Sequence, residues 1–402
     1  MERLNCGSKA SIPYMQTPLA LTPLSTATTA VNTVLLLGAF GLLLIGAEIF
    51  TNGVEWLGNR LGVSESATGS ILAAVGTALP ETMIPVIAIL SAQFGSGSQG
   101  AADSVGVGAI LGAPFMLATI AMFLIGISVL YFSNRRSYGD EFHFNDVSTR
   151  RDLTFFLTGY TLAFLAALIH SELISTAIGI ILVGLYLTYL YRTLKAGGMV
   201  GSDDLEDLMV GKVIEKGEEP VPQVGVNGNH ASNPGTAITL FQTLFALGII
   251  IGGAHLFVNE VEWAANAIGM PSAIVALLLA PLATELPEKF NSIIWISRDK
   301  DTLAIGNITG AMAFQGTLPV TLGILFTSWN LSLQWGTSGF LNAFSAILAI
   351  ISGGILYMRA RNVQQGNMSP RPFLIGGLFY FAFLAIVVYH VLILNVSAAG
   401  GH

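Results

Sequence analysis

Ten apolar runs divide the chain, at about 31–51, 64–94, 102–131, 152–170, 172–193, 236–258, 270–298, 301–327, 337–358 and 372–395. Roughly 20 apolar residues suffice to cross a bilayer core, so each run reads as a membrane helix. Short polar stretches separate most of them, and only 194–235 is a long polar connection. The pattern predicts an all-α polytopic membrane protein of ten transmembrane helices. A polar tail (1–30) leads into a five-helix repeat (31–193), a linker (194–235) and a second five-helix repeat (236–402). An odd number of helices per repeat makes the second insert upside down, which is an inverted-topology repeat.

Two runs carry the same polar interruption. Gly76-Thr77-Ala78-Leu79-Pro80-Glu81 lies inside the second, and Ala283-Thr284-Glu285-Leu286-Pro287-Glu288 inside the seventh, 207 positions later. A charged side chain at mid-membrane costs at least about 2.5 kcal/mol, so something must make it tolerable. Proline lacks the N–H and clashes with the preceding turn, which predicts a helix break and a freed carbonyl near Gly76. Pro80 then suits the start of a new half-helix, with Glu81 at its positive end. The break assembles a carboxylate, the Thr77 hydroxyl and loose carbonyls, an oxygen set suited to a hard cation. Thr284 and Glu288 repeat the arrangement. Glu55-Trp56 and Glu262-Trp263 fall in the links before these helices and keep the offset of 207. Asp103, Gly108 and Gly112 match Asp301, Gly306 and Gly310 at an offset of 198. The two aspartates start helices and read as N-caps.

Composition and charge narrow the class. Of 402 residues, 53% are hydrophobic and 10% charged, and the mean hydropathy is +0.69. With the N-terminus outside, the inside loops hold Arg60, Arg135, Arg136, Arg150, Arg151 and every later Lys and Arg except Lys289, while the outside loops between helices hold none. That asymmetry places both termini outside and the linker in the cytoplasm. The lone Cys6 excludes a disulfide framework, and the net charge of −7 points to no nucleic acid. The N-terminus lacks the order of a signal peptide. Scattered histidines, no His-Glu-x-x-His and no nucleotide loop argue against an enzyme, an ATP-driven pump or a cofactor. The expected partners are inorganic cations and the lipid bilayer.

Lys289 follows Glu288 and stands four residues after Glu285, a spacing for an intrahelical ion pair. Either it only neutralises Glu285, or it replaces a bound Na⁺.

Gly-Thr-x-Leu-Pro-Glu (with Ala283 for the glycine in the second copy) followed by an Asp-led helix with Gly-x-x-x-Gly, twice and inverted, resembles the alpha repeats of the sodium/calcium exchanger family. Leu44-Ile45-Gly46-Ala47-Glu48 and Arg60-Leu61-Gly62-Val63-Ser64 add to the resemblance, which runs from Val31 through nearly all the chain. It implies alternating access around a central site, with Glu81, Glu288, Thr77 and Thr284 as cation ligands. The family's Gly-Asn-x-x-Gly-Ser-Asn is apolar in the third helix (Gly108 to Pro114), whereas the eighth keeps Asn307 and adds Thr309. Ala78 and Glu285 stand where the family has serine. Asn307 and Glu285 therefore join the expected ligands, with Gln315 and Lys289 behind them. The expected function is secondary antiport of a cation, foremost Ca²⁺, against Na⁺ or H⁺. The alternative is a membrane cation-binding protein or sensor that keeps the fold without transport. The compact chain suggests the plasma (inner) membrane of a bacterial envelope.

Overall fold

A computed structural model describes residues 26–60, 73–94, 99–169, 171–195, 236–329, 331–362 and 367–393. The expected tail up to residue 25 and the body of the linker, 196–235, lie outside the described residues. The first half holds α1 (Thr26–Arg60), α2 (Ala73–Phe94), α3 (Gln99–Met116), a π turn (Leu117–Ala121), α4 (Met122–Phe132), α5 (Asp146–Leu168) and α6 (Glu172–Lys195). The second holds α7 (Thr236–Ile268), α8 (Ser272–Thr284), α9 (Leu286–Ser297), α10 (Asp301–Gln315), α11 (Leu318–Phe326), α12 (Ser338–Arg361) and α13 (Arg371–Leu392). Two short strands, β1 (Phe142–His143) and β2 (Asn367–Met368), pair antiparallel and tie the loop after α4 to the loop before α13. Seven of the described helical segments are long and apolar enough to cross a membrane, and the molecule is a polytopic helical membrane protein.

Local chemistry sets several helix ends. Asn145 caps α5 by accepting from the amides of Val147 and Ser148, both at 3.1 Å. Thr337 caps α12 by accepting from the amide of Phe340. Gly269, at φ +70°, closes α7 in a Schellman motif: its N–H reaches Asn266 O, and the N–H of Met270 reaches Ala265 O. No breaker precedes Gly269, so α7 runs ten residues beyond the expected end at 258. α1 likewise continues to Arg60. Glu55-Trp56 and Glu262-Trp263 therefore sit inside helices, not in links.

The proline breaks differ from expectation. α2 is one helix from Ala73 to Phe94, and Pro80 lies within it. Proline deletes one backbone hydrogen bond, whereas a full stop would strand several polar groups in hydrocarbon. The second copy does break. Glu285, at φ −97° and ψ 3°, ends α8 and precedes α9, whose second residue is Pro287. A further interruption, absent from the sequence reading, falls at Gly316-Thr317 between α10 and α11, with Pro319 next to the start of α11. At the matching place in the first half, 198 positions earlier, stands the π turn, just after Pro114.

Packing among the described residues forms a small apolar cluster of Phe155, Tyr186, Tyr189, Ala313 and Phe314 and two large ones. One gathers α1 and α7 with faces of α2, α3 and α8. The other gathers α4, α5 and α10 to α13 with the opposite faces of α3 and α8. α1 and α7 cross antiparallel, pairing Phe40 with Phe257 edge to face (centroids 5.5 Å apart) and Gly46 with Ile250. Gln242 Nε2 adds a polar tie, donating to Asn52 Oδ1 (2.9 Å) and Ile49 O (3.1 Å). The seam between the clusters is the crossing of α3 and α8. A Cβ on Gly108 would fall 2.0 Å from Ala273 O, and one on Gly112 2.2 Å from Leu277 O. Only hydrogen fits there, and the backbones meet directly.

Gly112→Ala is expected to force this crossing apart, at a cost of about 1–3 kcal/mol for an overpacked methyl. A lower melting temperature of the detergent-solubilised protein would read it out. Gly38→Ala, where nothing lies within 4 Å, is expected to leave that temperature unchanged.

Candidate cation site

α2 packs against α3 and reaches α8 and α10 as well, so the two polar interruptions lie in neighbouring elements. Glu81 is buried on α2. Thr77 lies on the same helix and Glu288 is the third residue of α9, but their side chains lie outside the described residues. Thr284, the last residue of α8, is buried and donates its Oγ1 proton to Ala280 O at 3.2 Å. That bond commits the hydroxyl proton and leaves oxygen lone pairs, which is the state a cation ligand requires.

The break residue takes part in a buried ion pair. Lys289 Nζ stands 2.7 Å from Glu285 Oε2, with side-chain exposures of 4% and 1%. The pair bridges the interruption, because Glu285 precedes α9 and Lys289 lies in its first turn. Glu285 Oε1 is also buried and has no hydrogen-bond partner among the described residues. Glu285 thus offers one oxygen to Lys289 and holds a second in reserve.

α10 supplies the amides. Asn307 Nδ2 donates to Ser292 Oγ at 3.3 Å, and Ser292 Oγ donates to Ala304 O, which fastens α9 to α10 beside the break. Gln315 is buried at the far end of α10, about 12 Å further along at 1.5 Å per residue. The two amides serve different depths. Among the described residues no group of three or more His, Cys, Asp or Glu converges on one point.

Asp103 and Asp301 are not the N-caps expected of them. Asp301 is the first residue of α10, after Lys300, and its carboxylate accepts from buried Arg136 and from the amide of His143 at 2.9 Å. Arg136 also approaches Asp299 Oδ1 at 3.5 Å, and Ser137 donates to Asp299 through N–H and Oγ. Partial desolvation pushes the Asp299 carboxyl up, but these bonds outweigh it and hold it below the usual carboxylate range. Their contribution is present above the ordinary carboxylate pKa and is lost as pH falls through the lowered one. Asp103, inside α3, accepts from Ser328 N and Oγ just past α11. Each aspartate thereby latches its helix to the loop leaving the matching helix of the other half.

Sequence reasoning missed Asp152. It is buried on α5, where its Oδ2 accepts from Thr309 Oγ1 at 2.9 Å and its Oδ1 from Arg151, with Tyr189 as a further partner. Thr309 therefore faces α5, away from the Asn307 side of α10. Adjacency to Arg151 and a place at the start of an apolar run made Asp152 look like an ordinary helix end.

Removing one partner of a buried ion pair costs about 3–5 kcal/mol, because the other charge stays behind. Asp301→Asn, which leaves buried Arg136 with only the more distant Asp299 carboxylate, is expected to lower the melting temperature clearly more than Asp103→Asn, which loses only hydroxyl and amide bonds. Adding Arg136→Met to Asp301→Asn is expected to recover part of the loss.

The profile of the sodium/calcium exchanger protein family matches residues 31–195 and 238–393. An uncharacterised membrane protein of Methanocaldococcus jannaschii is 23% identical over 327 residues, covering 81% of this chain and 89% of that protein. Among solved structures, the H⁺/Ca²⁺ exchanger CAX superposes with a TM-score of 0.59 at 16% identity, covering 90% of this chain and 91% of that one. The sodium-calcium exchanger NCX_Mj soaked with Na⁺ and Sr²⁺ gives 0.52 at 18% identity, covering 89% and 98%. At such identities the two structures speak for the fold.

Proposed function

The chain belongs to the sodium/calcium exchanger family, a family of membrane antiporters, and from that premise we propose that it exchanges Ca²⁺ against Na⁺ or H⁺ by alternating access. The observation that carries the reading is the helix break at Glu285, inside the apolar body, next to an element with a second buried carboxylate, Glu81. In this reading Glu81 and Glu288 coordinate the divalent cation. Thr77, Thr284 and Asn307 add oxygens, Glu285 supplies Oε1, and Gln315 lines the path at another depth.

The proposed architecture is ten membrane helices in two inverted repeats, 31–193 and 236–402, and the expected tail of residues 1–30 is shortened by the start of α1 at Thr26. Reciprocal contacts support it. Gly46 packs on Ile250 while Gly253 packs on Leu43, and both glycines and both partners are 207 positions apart. Thr119 back-bonds to Phe115 O at the π turn, and Thr317 to Ala313 O at the α10–α11 break, each pair 198 apart. α1 and α7 belong to one apolar cluster and most of the remaining helices to the other. That division suits a cycle in which the α1–α7 pair slides across the rest. The cation-rich loops support an orientation with both termini outside and the linker 194–235 in the cytoplasm, and the membrane proposed is the plasma (inner) membrane.

A second reading, a cation-binding protein that does not transport, rests on α3. Gly108 and Gly112 are used up in packing on α8, and Ala109 and Ala113 between and beside them supply no oxygen.

The test is Ca²⁺ uptake into proteoliposomes under an imposed Na⁺ gradient and then an imposed pH gradient. Uptake under one of them is expected, reduced about tenfold or more by Glu81→Gln and by Glu288→Gln, a loss of about 1.4 kcal/mol or more in cation binding. Absence of uptake under both, by folded protein, sinks the antiport reading. Ca²⁺ binding without flux would then favour the second one.

A further inference from the structure

We propose that the Lys289 ammonium is a resident cation of the site, which fixes exchange at two monovalent cations per divalent cation and keeps the cycle electroneutral. The inference rests on the antiport reading and specifies its charge balance.

The pair is an addition to one repeat only. Positions 207 before Glu285 and Lys289 are Ala78 and Thr82, so the first copy carries neither charge and the second carries both. Glu285 and Lys289 therefore form a neutral unit confined to the second copy. Local helix energetics do not account for the lysine. A cation in the first turn of a helix opposes the positive dipole end, where an anion is favoured. Burial does not account for it either, because an ammonium exposed to the extent of 4% is costly unless paired. What holds it there is Glu285 Oε2 at 2.7 Å, with the Glu285 carbonyl 3.5 Å away. Neither charge can leave without stranding the other.

The remaining charges then count simply. Glu81, Glu285 and Glu288 bring three negative charges and Lys289 one positive, so the site holds a net charge of two negative. One Ca²⁺ matches that charge, and so do two monovalent cations. No other charged residue lies on α2, α8 or α9, and on α10 only Asp301, which Arg136 neutralises at the helix end. Without Lys289 the same cage would hold three negative charges. It would then take a third monovalent cation on the return stroke, and each cycle would move one net charge.

Steady-state Ca²⁺ accumulation in Na⁺- or H⁺-loaded proteoliposomes, with the potential clamped by K⁺ and valinomycin at 0 and at 100 mV inside-positive, tests this. One net charge per cycle shifts accumulation by about fifty-fold at 100 mV. The wild type is expected to accumulate equally at both potentials. Lys289→Met is expected to accumulate up to that factor more at the inside-positive potential. The double variant Glu285→Gln/Lys289→Met, which removes the neutral unit whole, is expected to return to equal accumulation. Potential-dependent accumulation by the wild type overturns the inference and leaves antiport standing. So does a transporting Lys289→Met protein that ignores the potential. If Lys289→Met does not transport, the double variant decides: equal accumulation supports the inference, and potential-dependent or lost transport overturns it. A wild type that accumulates nothing under any gradient overturns both readings.

Discussion

Hydrocarbon offers no hydrogen bonds, so every interruption of a helix at membrane depth has to be satisfied by the protein itself. The breaks in this molecule occur where that condition is met. At the π turn, Ser352 on α12 donates to the carbonyl of Ala118. At the equivalent break, Thr317 donates to Ala313 and Phe314, and Gly159 lets α5 close over the Gly316 carbonyl. At Glu285 the surroundings add an ion pair and the Asn307–Ser292 link. The irregular backbone is therefore an interior feature, and the polar groups it gathers lie where a cation could be held away from lipid.

Close packing at the centre limits what the two repeats can contribute. The α3–α8 crossing brings backbone against backbone through Gly108 and Gly112, and faces of these two helices belong to both apolar clusters. A side chain with oxygens at those positions would push the helices apart. α3 gains close packing there, and the neighbouring Ala109 and Ala113 carry no side-chain oxygen, whereas α10 carries Asn307 and Thr309 at the positions 198 later or beside them.

Matched residue types at fixed offsets were readable in the sequence, and so were most of the described helices, because long apolar runs can do little else in a bilayer. The proline at each copy was readable as well, but not its outcome. Pro80 stays inside a helix and Pro287 follows a break, although the local sequences are nearly alike. The second copy alone carries Glu285 and Lys289, whose i,i+4 pair forms at the start of α9; the spacing was readable, the break beside it was not. Contacts between distant segments were invisible, because no local spacing encodes them. Asp103 and Asp301 obey the rules for N-caps, yet their partners come from the opposite half of the chain. Asp152 carries no motif at all and becomes conspicuous only when Thr309 is seen against it.

The two aspartate latches show how one physical rule shapes another. Both join the start of a central helix to the loop leaving its counterpart, but one uses a buried guanidinium and the other a serine. In the proposed orientation the Arg136 latch lies on the cytoplasmic side, where the loops are rich in cations, and the Ser328 latch on the side where they have none. Loop arginines that orient a chain during insertion remain available afterwards as ion-pair partners, and a loop stripped of cations can offer only neutral donors. A buried charge pair, once opened, leaves a charge in low dielectric, whereas a serine bond leaves a hydroxyl that water can solvate. The two ends of the central helices are thus held by contacts of unequal kind, and the inequality follows the same distribution of lysine and arginine on which the proposed orientation rests.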